Sequence, residues 1–93
     1  MNTIESTIAS FLKIDLADIR SKSKKKELVE ARRIIWYFLN NDGETFNDIA
    51  PRYGITGQGV RKGVNKAKNQ ALFVSLYRNK LATIQAVIVA KEI

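Results

Sequence analysis

Apolar positions recur at intervals of three and four residues through most of this 93-residue chain, the spacing of one face of an α-helix rather than of a strand. The first segment carries Ile4, Ile8, Phe11 and Leu12 on one face, with Asn2 or Thr3 as its cap and an end near Lys13. Asp15 then caps a short turn through Leu16, Ala17 and Ile19. The strongest pattern runs from about residue 27 to 41. There Leu28, Ala31, Ile34, Ile35, Phe38 and Leu39 line one side, and Trp36 and Tyr37 widen it, as expected of a central, deeply buried helix. Aromatic residues at this spacing, with Phe46, read as core rather than as base-stacking platforms. The run from Asn40 to Gly43 stops that helix.

Thr45 and Asp48 have the spacing of a capping box and open a short helix that reaches Arg52 or Tyr53. Pro51 lies inside it, so distortion or an early end is expected. Gly54 suits the left-handed conformation that closes a helix. A new helix starts near Thr56 or Gly57, with Val60, Val64 and Ala67 inward and a basic outer face. The last helix spans about residues 72–91, with Leu76, Leu81, Ile84, Val87 and Ile88 forming much of its apolar surface. The fold class is therefore all-α, one domain of five to six helices.

A short helix, a glycine-containing turn and a basic helix make up the plan of a helix-turn-helix, here at about residues 45–69. In that motif the second helix offers its first turns to the major groove. The side chains so placed are Thr56, Gln58, Arg61, Lys62, Asn65 and Lys66. Gln58 can pair bidentately with adenine, and Arg61 or Lys62 with guanine or phosphate; a solvated face is the plainer alternative for each. Gly57 and Gly59 bring no side chain and let the backbone approach a phosphate. GITGQG is not a nucleotide-binding loop, because no Lys-Ser/Thr pair follows its last glycine and no strand precedes it.

Charge sharpens this picture. The net charge is +7, and no acidic residue occurs between Asp48 and Glu92, where eight basic ones do. A polyanionic partner follows from such a balance. The segment SKSKKKELVEARR concentrates Lys22, Lys24, Lys25 and Lys26 in a loop just before the central helix, with Arg32 and Arg33 in that helix's first turns. Lysines beside a helix N-terminus combine side-chain charge with unpaired N–H groups and the positive end of the dipole. A nucleic-acid backbone is the anion that fits; a solvated loop is the alternative.

The chain has neither cysteine nor histidine, so thiolate chemistry, disulfides and the usual general base and metal ligand are missing. Carboxylates are scattered, and neither catalysis nor a cofactor or metal is expected. No apolar run approaches the length of a membrane span, and the N-terminus is not a signal peptide. The reading is cytoplasmic, with no membrane and no nucleotide as partners.

The order of parts resembles the C-terminal DNA-binding domain of the bacterial replication initiator DnaA, a fold related to Trp repressor. The resemblance rests on IESTIASFLKIDLADIRSKSKKKELVEARRIIWYFL for the opening helices, basic loop and central helix. TFNDIAPRYG matches the first helix of the motif, and VRKGVNKAKN the body of the recognition helix. It implies backbone and minor-groove contacts for Lys24, Lys25, Lys26, Arg32 and Arg33. The family's Asp-His-Thr-Thr signature is replaced by Thr56, Gly57, Gln58 and Gly59, with one residue deleted in the turn. The family's ATPase domain is absent from the sequence, which reads as a free-standing relative of the DNA-binding domain.

The expected function is non-catalytic binding of double-stranded DNA in regulation of replication or transcription. The runner-up is a protein-interaction module, with AVIVAKEI as an apolar surface that leaves a homodimer through the C-terminal helix open; RNA binding ranks third.

Overall fold

The computed structural model describes residues 3–92. Among them are six α-helices and no strand, the all-α fold that the periodicity predicts. Helix α1 is Thr3–Leu12, α2 Leu16–Ile19, α3 Lys26–Asn41, α4 Phe46–Ile49, α5 Gly57–Phe73 and α6 Ser75–Glu92; a 3-10 turn, Ala50–Tyr53, continues α4. The cap expected at Asn2 or Thr3 lies outside the described residues and side chains.

Helix α3 is central. Leu28, Ala31, Ile34, Ile35, Trp36, Phe38 and Leu39 are all buried, and the helix packs on α5, α1 and α2. Its aromatic residues divide as core packing demands: Trp36 and Phe38 are buried, and Tyr37 is half-buried with its ring edge-on to Phe38. One continuous apolar cluster runs from Ile4 of α1 to Ile88 of α6. Burial of this stripe, rather than helix propensity, is what holds such short elements in place.

The local signals act where the sequence puts them. Asp15 accepts a hydrogen bond from Ala17 N at 3.0 Å and caps α2. Thr45 Oγ1 accepts from Asp48 N, and Thr45 N donates to the Asp48 carboxylate, completing the capping box. Gly54 adopts φ 63°, the left-handed region. Pro51 ends the α-helix early: α4 stops at Ile49, and Pro51 occupies the first turn of the 3-10 segment, where no N–H is needed.

Three expectations are corrected. Helix α5 runs to Phe73, and α6 begins at Ser75 rather than near 72. The break is the single extended residue Val74 (φ −119°, ψ 105°), whose N–H still reaches Gln70 O at 2.8 Å. No glycine or proline marks it, so periodicity had nothing to stop on. On α6 the inward stripe is Tyr77, Leu81, Ile84 and Ile88; Leu76 falls one position off it and is exposed, and Val87 is half-buried. On α1, Phe11 sits at the solvent edge, and its face is completed instead by buried Glu5 and Ala9.

Candidate nucleic-acid interface

Glu5 is the least expected of these residues. Its side chain is 1% exposed, and its carboxylate accepts from Arg20 Nη2 at 2.9 Å, Arg52 Nη1 at 3.1 Å and Tyr53 Oη at 2.6 Å. Arg52 also pairs with Glu44. This cluster joins α1, the end of α2 and the 3-10 turn, and the Tyr53 ring stands edge-on to Trp36 with centroids 5.5 Å apart. The hydrogen bond to Glu5 raises the Arg20 pKa above its ordinary value. For Arg52, burial opposes the charge, but bonds to Glu44 and Glu5 outweigh it and the pKa rises. Burial first, and then the bond to Glu5, drives the Tyr53 hydroxyl pKa well up. Arg20 and Arg52 thus tie separate elements together through Glu5, although the charge count places Arg52 in the basic stretch.

The basic loop is tied down by short polar bonds. Ser21 Oγ donates to Asp18 O at 2.6 Å; Ser23 N donates to Ser21 Oγ and Lys25 N to Ser23 Oγ, both at 3.3 Å. Arg32 completes the tie: its Nε donates to Ile19 O and its Nη2 to Ser21 O, each at 2.6 Å. Burial lowers the Arg32 pKa from its ordinary value. Two of its nitrogens thus face the protein's own carbonyls. On this frame Lys22, Lys24, Lys25 and Lys26 all project into solvent. Lys25 is the N-cap of α3 and makes no side-chain cap bond. The Lys22 side chain runs beside Gly54, where an added Cβ would lie 3.5 Å from its Cε, so the loop borders the helix-turn-helix turn.

Helix α5 is set by Thr56, whose Oγ1 accepts from Gly59 N at 3.1 Å. Val60, Gly63, Val64 and Ala67 face inward. Gln58, Arg61, Lys62, Asn65 and Lys66 are exposed, at the i, i+3, i+4, i+7 and i+8 spacing of one helical face. Two concavities flank that face. One, of about 290 Å³, is bounded by Gln58 and Arg61 with Thr45, Phe46 and Asn47 from the start of α4. The other, of about 240 Å³, joins Lys62 and Lys66 to Arg32, Arg33 and Trp36 of α3 across Gly59 and Gly63. Arg33 also lines the adjoining groove of about 300 Å³ with Lys24, Lys26 and the Glu30 carboxylate, which Lys80 approaches at 3.9 Å. The recognition helix and the basic loop therefore meet along one cationic seam, with Arg33 at its middle.

Gly63 makes that seam, and helical periodicity does not single it out. A Cβ there would fall 2.5 Å from Trp36 Cε3, closer than atoms pack. The signal available was a glycine in a helix interior four residues after Gly59, the spacing at which two helices approach closely.

Among the described residues there is no group of three or more His, Cys, Asp or Glu able to hold a metal ion, and no helix long and apolar enough to cross a membrane. Helix α4 with its 3-10 extension, the turn 54–56 and α5, packed on one another beneath a central helix, define a helix-turn-helix domain. The chain belongs to the bacterial DnaA protein helix-turn-helix family, a family of DNA-binding domains, whose model matches residues 1–66. No curated protein and no solved structure matches the chain. The match ends inside α5, so the rest of that helix and all of α6 lie beyond it.

Proposed function

We propose that this protein binds double-stranded DNA with the N-terminal turns of α5 in the major groove and the basic loop against the flanking backbone and minor groove. The observation that carries this is the seam from Lys24 and Lys26 through Arg33 to Lys62 and Lys66, in which five cations outnumber the single carboxylate of Glu30 and which is built from two distant stretches of sequence. Gln58, Arg61 and Asn65 are the base-edge candidates; Thr56 caps its own helix and has only its hydroxyl proton to offer. Lys22, Lys24, Lys25 and Lys26 with Arg33 neutralise phosphates. Arg32 acts behind them by holding the loop in shape.

The role follows the family: non-catalytic regulation of replication or transcription in a bacterial cytoplasm, at sites that need not be the initiator's, since Gly57 and Gly59 stand in the signature. A homodimer through α6 draws little support, because Tyr77, Leu81, Ile84 and Ile88 are already buried in the core of one copy.

The test is fluorescence anisotropy with an initiator-box duplex and a scrambled duplex of equal composition, at several salt concentrations. Salt-dependent binding of both supports the backbone contacts, and a preference for the box adds initiator sites as targets. Failure to bind either at moderate salt would sink the reading.

A further inference from the structure

We infer that the corner between α5 and α6 is a docking knob for a partner protein that presents an apolar groove edged by carboxylates. At this corner Leu72 is 68% exposed, Phe73 83%, Val74 45% and Leu76 80%. Exposed apolar residues scattered singly are ordinary, but four large ones within five positions are not. The corner is a defined turn: Val74 is extended and its N–H is bonded back to Gln70 O. All four residues lie beyond the stretch that the family model matches.

Charge selects the occupant. Lys68, also exposed, precedes Leu72 by one helical turn, and Arg78 follows Val74 by one; no acidic residue occurs between Asp48 and Glu92. A two-fold contact with a second copy would bring the same cations against each other with no carboxylate in this segment to offset them. Four side chains also fall well short of the roughly 800 Å² per partner of a standard interface. What they match is a compact anchor, in which a few buried apolar side chains carry most of the binding. Carboxylates at the rim of a partner's groove would meet Lys68 and Arg78.

The knob stands about 22 Å along α5 from Gln58, by the rise of an α-helix. The end proposed to read DNA and the end proposed to dock protein are opposite ends of one rigid rod, so both are occupied at once. The docking inference does not depend on the DNA reading.

Peptides from a random displayed library, selected on the immobilised full chain, test this. Their binding is then measured against wild type, Phe73→Ser and the Lys68→Glu/Arg78→Glu pair. All three altered side chains are exposed, so the variants fold, and circular dichroism verifies it. The expected winners combine Leu, Ile or Phe with Asp or Glu, bind each variant about tenfold or more weakly, and bind equally well when duplex DNA is added. Winners that are neutral or basic, or indifferent to Phe73→Ser, overturn the inference. So does a dimer in sedimentation that Phe73→Ser dissolves, which assigns the knob to a second copy. Co-sedimentation with phosphatidylglycerol vesicles that Phe73→Ser abolishes, without any selected peptide, assigns it to a lipid surface and equally overturns the inference.

Discussion

Gly63 of α5 lies against the six-membered ring of Trp36 in α3, so close that a Cβ at position 63 would sit 2.5 Å from Cε3 and 2.6 Å from Cζ3. This contact sets the spacing between the recognition helix and the central helix, and with it the seam that joins Lys62 and Lys66 to Arg33. Gly63→Ala gains about 1 kcal/mol of helix propensity. It also forces a methyl into a buried ring that has little room to yield, and such overpacking costs about 1–3 kcal/mol. The expected net is a destabilised protein with weakened DNA binding. Gly59→Ala is the control: its Cβ would meet Ile55 Cδ1 at 3.4 Å, ordinary contact, so the propensity gain of up to about 1 kcal/mol survives. Urea denaturation of both variants measures the difference; equal stabilities would refute the packing role of Gly63.

Glu5 supports a second prediction. Glu5→Ala removes the shared acceptor of Arg20, Arg52 and Tyr53: Arg20 turns to solvent, Arg52 keeps Glu44, and the buried Tyr53 hydroxyl loses its bond. The lost bond of the buried Tyr53 hydroxyl to a charged acceptor is worth about 1.5–3 kcal/mol, so a clear loss of stability is expected. Thermal unfolding followed by circular dichroism reads this directly, and a melting temperature within a degree or two of wild type, at roughly the resolution of such scans, would show the cluster to be idle.

The two buried tyrosines separate hydrogen bonding from desolvation. Tyr53 Oη donates to Glu5 at 2.6 Å, so Tyr53→Phe is expected to cost about 1.5–3 kcal/mol, the range for a bond to a charged group. Tyr77 Oη is buried with no hydrogen-bond partner, so Tyr77→Phe is expected to be neutral or slightly stabilising. The order of the two melting temperatures is the check.

Burial pushes the Tyr77 hydroxyl up to about 12 from an ordinary value of 10.0. The folded state therefore holds this proton more tightly than the unfolded state does. The resulting stability is complete below about pH 10 and is lost as pH rises toward 12. Tyr53, raised in the same direction, adds to the loss. Tyr77→Phe is expected to shallow the fall in stability between those pH values and leave stability near neutrality unchanged. Urea midpoints from pH 8 to 12 test the slope.

Arg32 and the lysines differ in how their removal affects DNA binding. Replacing Lys24, Lys25 and Lys26 by Ala removes charge without touching the core. Affinity is expected to fall for all duplexes alike, with the salt slope reduced by about 0.9 for each phosphate no longer neutralised. Arg32→Ala instead frees Ile19 O and Ser21 O and loosens the loop, so it is expected to lower stability as well as affinity. Gln58→Ala leaves non-specific affinity unchanged and, if Gln58 reads an adenine, costs about 1–3 kcal/mol of discrimination at one base position. Anisotropy titrations against a panel of duplexes distinguish the three patterns.

Local and periodic features were legible in the chain itself. The capping box at Thr45 and Asp48, the left-handed Gly54, the helix start near Thr56 or Gly57, the buried face of α3 and the outward spacing of Gln58, Arg61, Lys62, Asn65 and Lys66 all depend on residues within a few positions of one another. Their physics is therefore written in sequence order. The same holds for the cationic excess and for the resemblance to the DnaA family. Tertiary structure decided which charges remain available and how the elements meet. It placed Glu5 in the core, because partners from positions 20, 52 and 53 converge on its carboxylate. It turned Arg32 inward to the loop carbonyls, made Gly63 the contact on Trp36, and exposed Leu72, Phe73, Val74 and Leu76 at a helix break that no glycine or proline announces. Each of these depends on atoms brought within a few ångströms by the packing of separate helices, and no periodicity along one helix encodes such pairings.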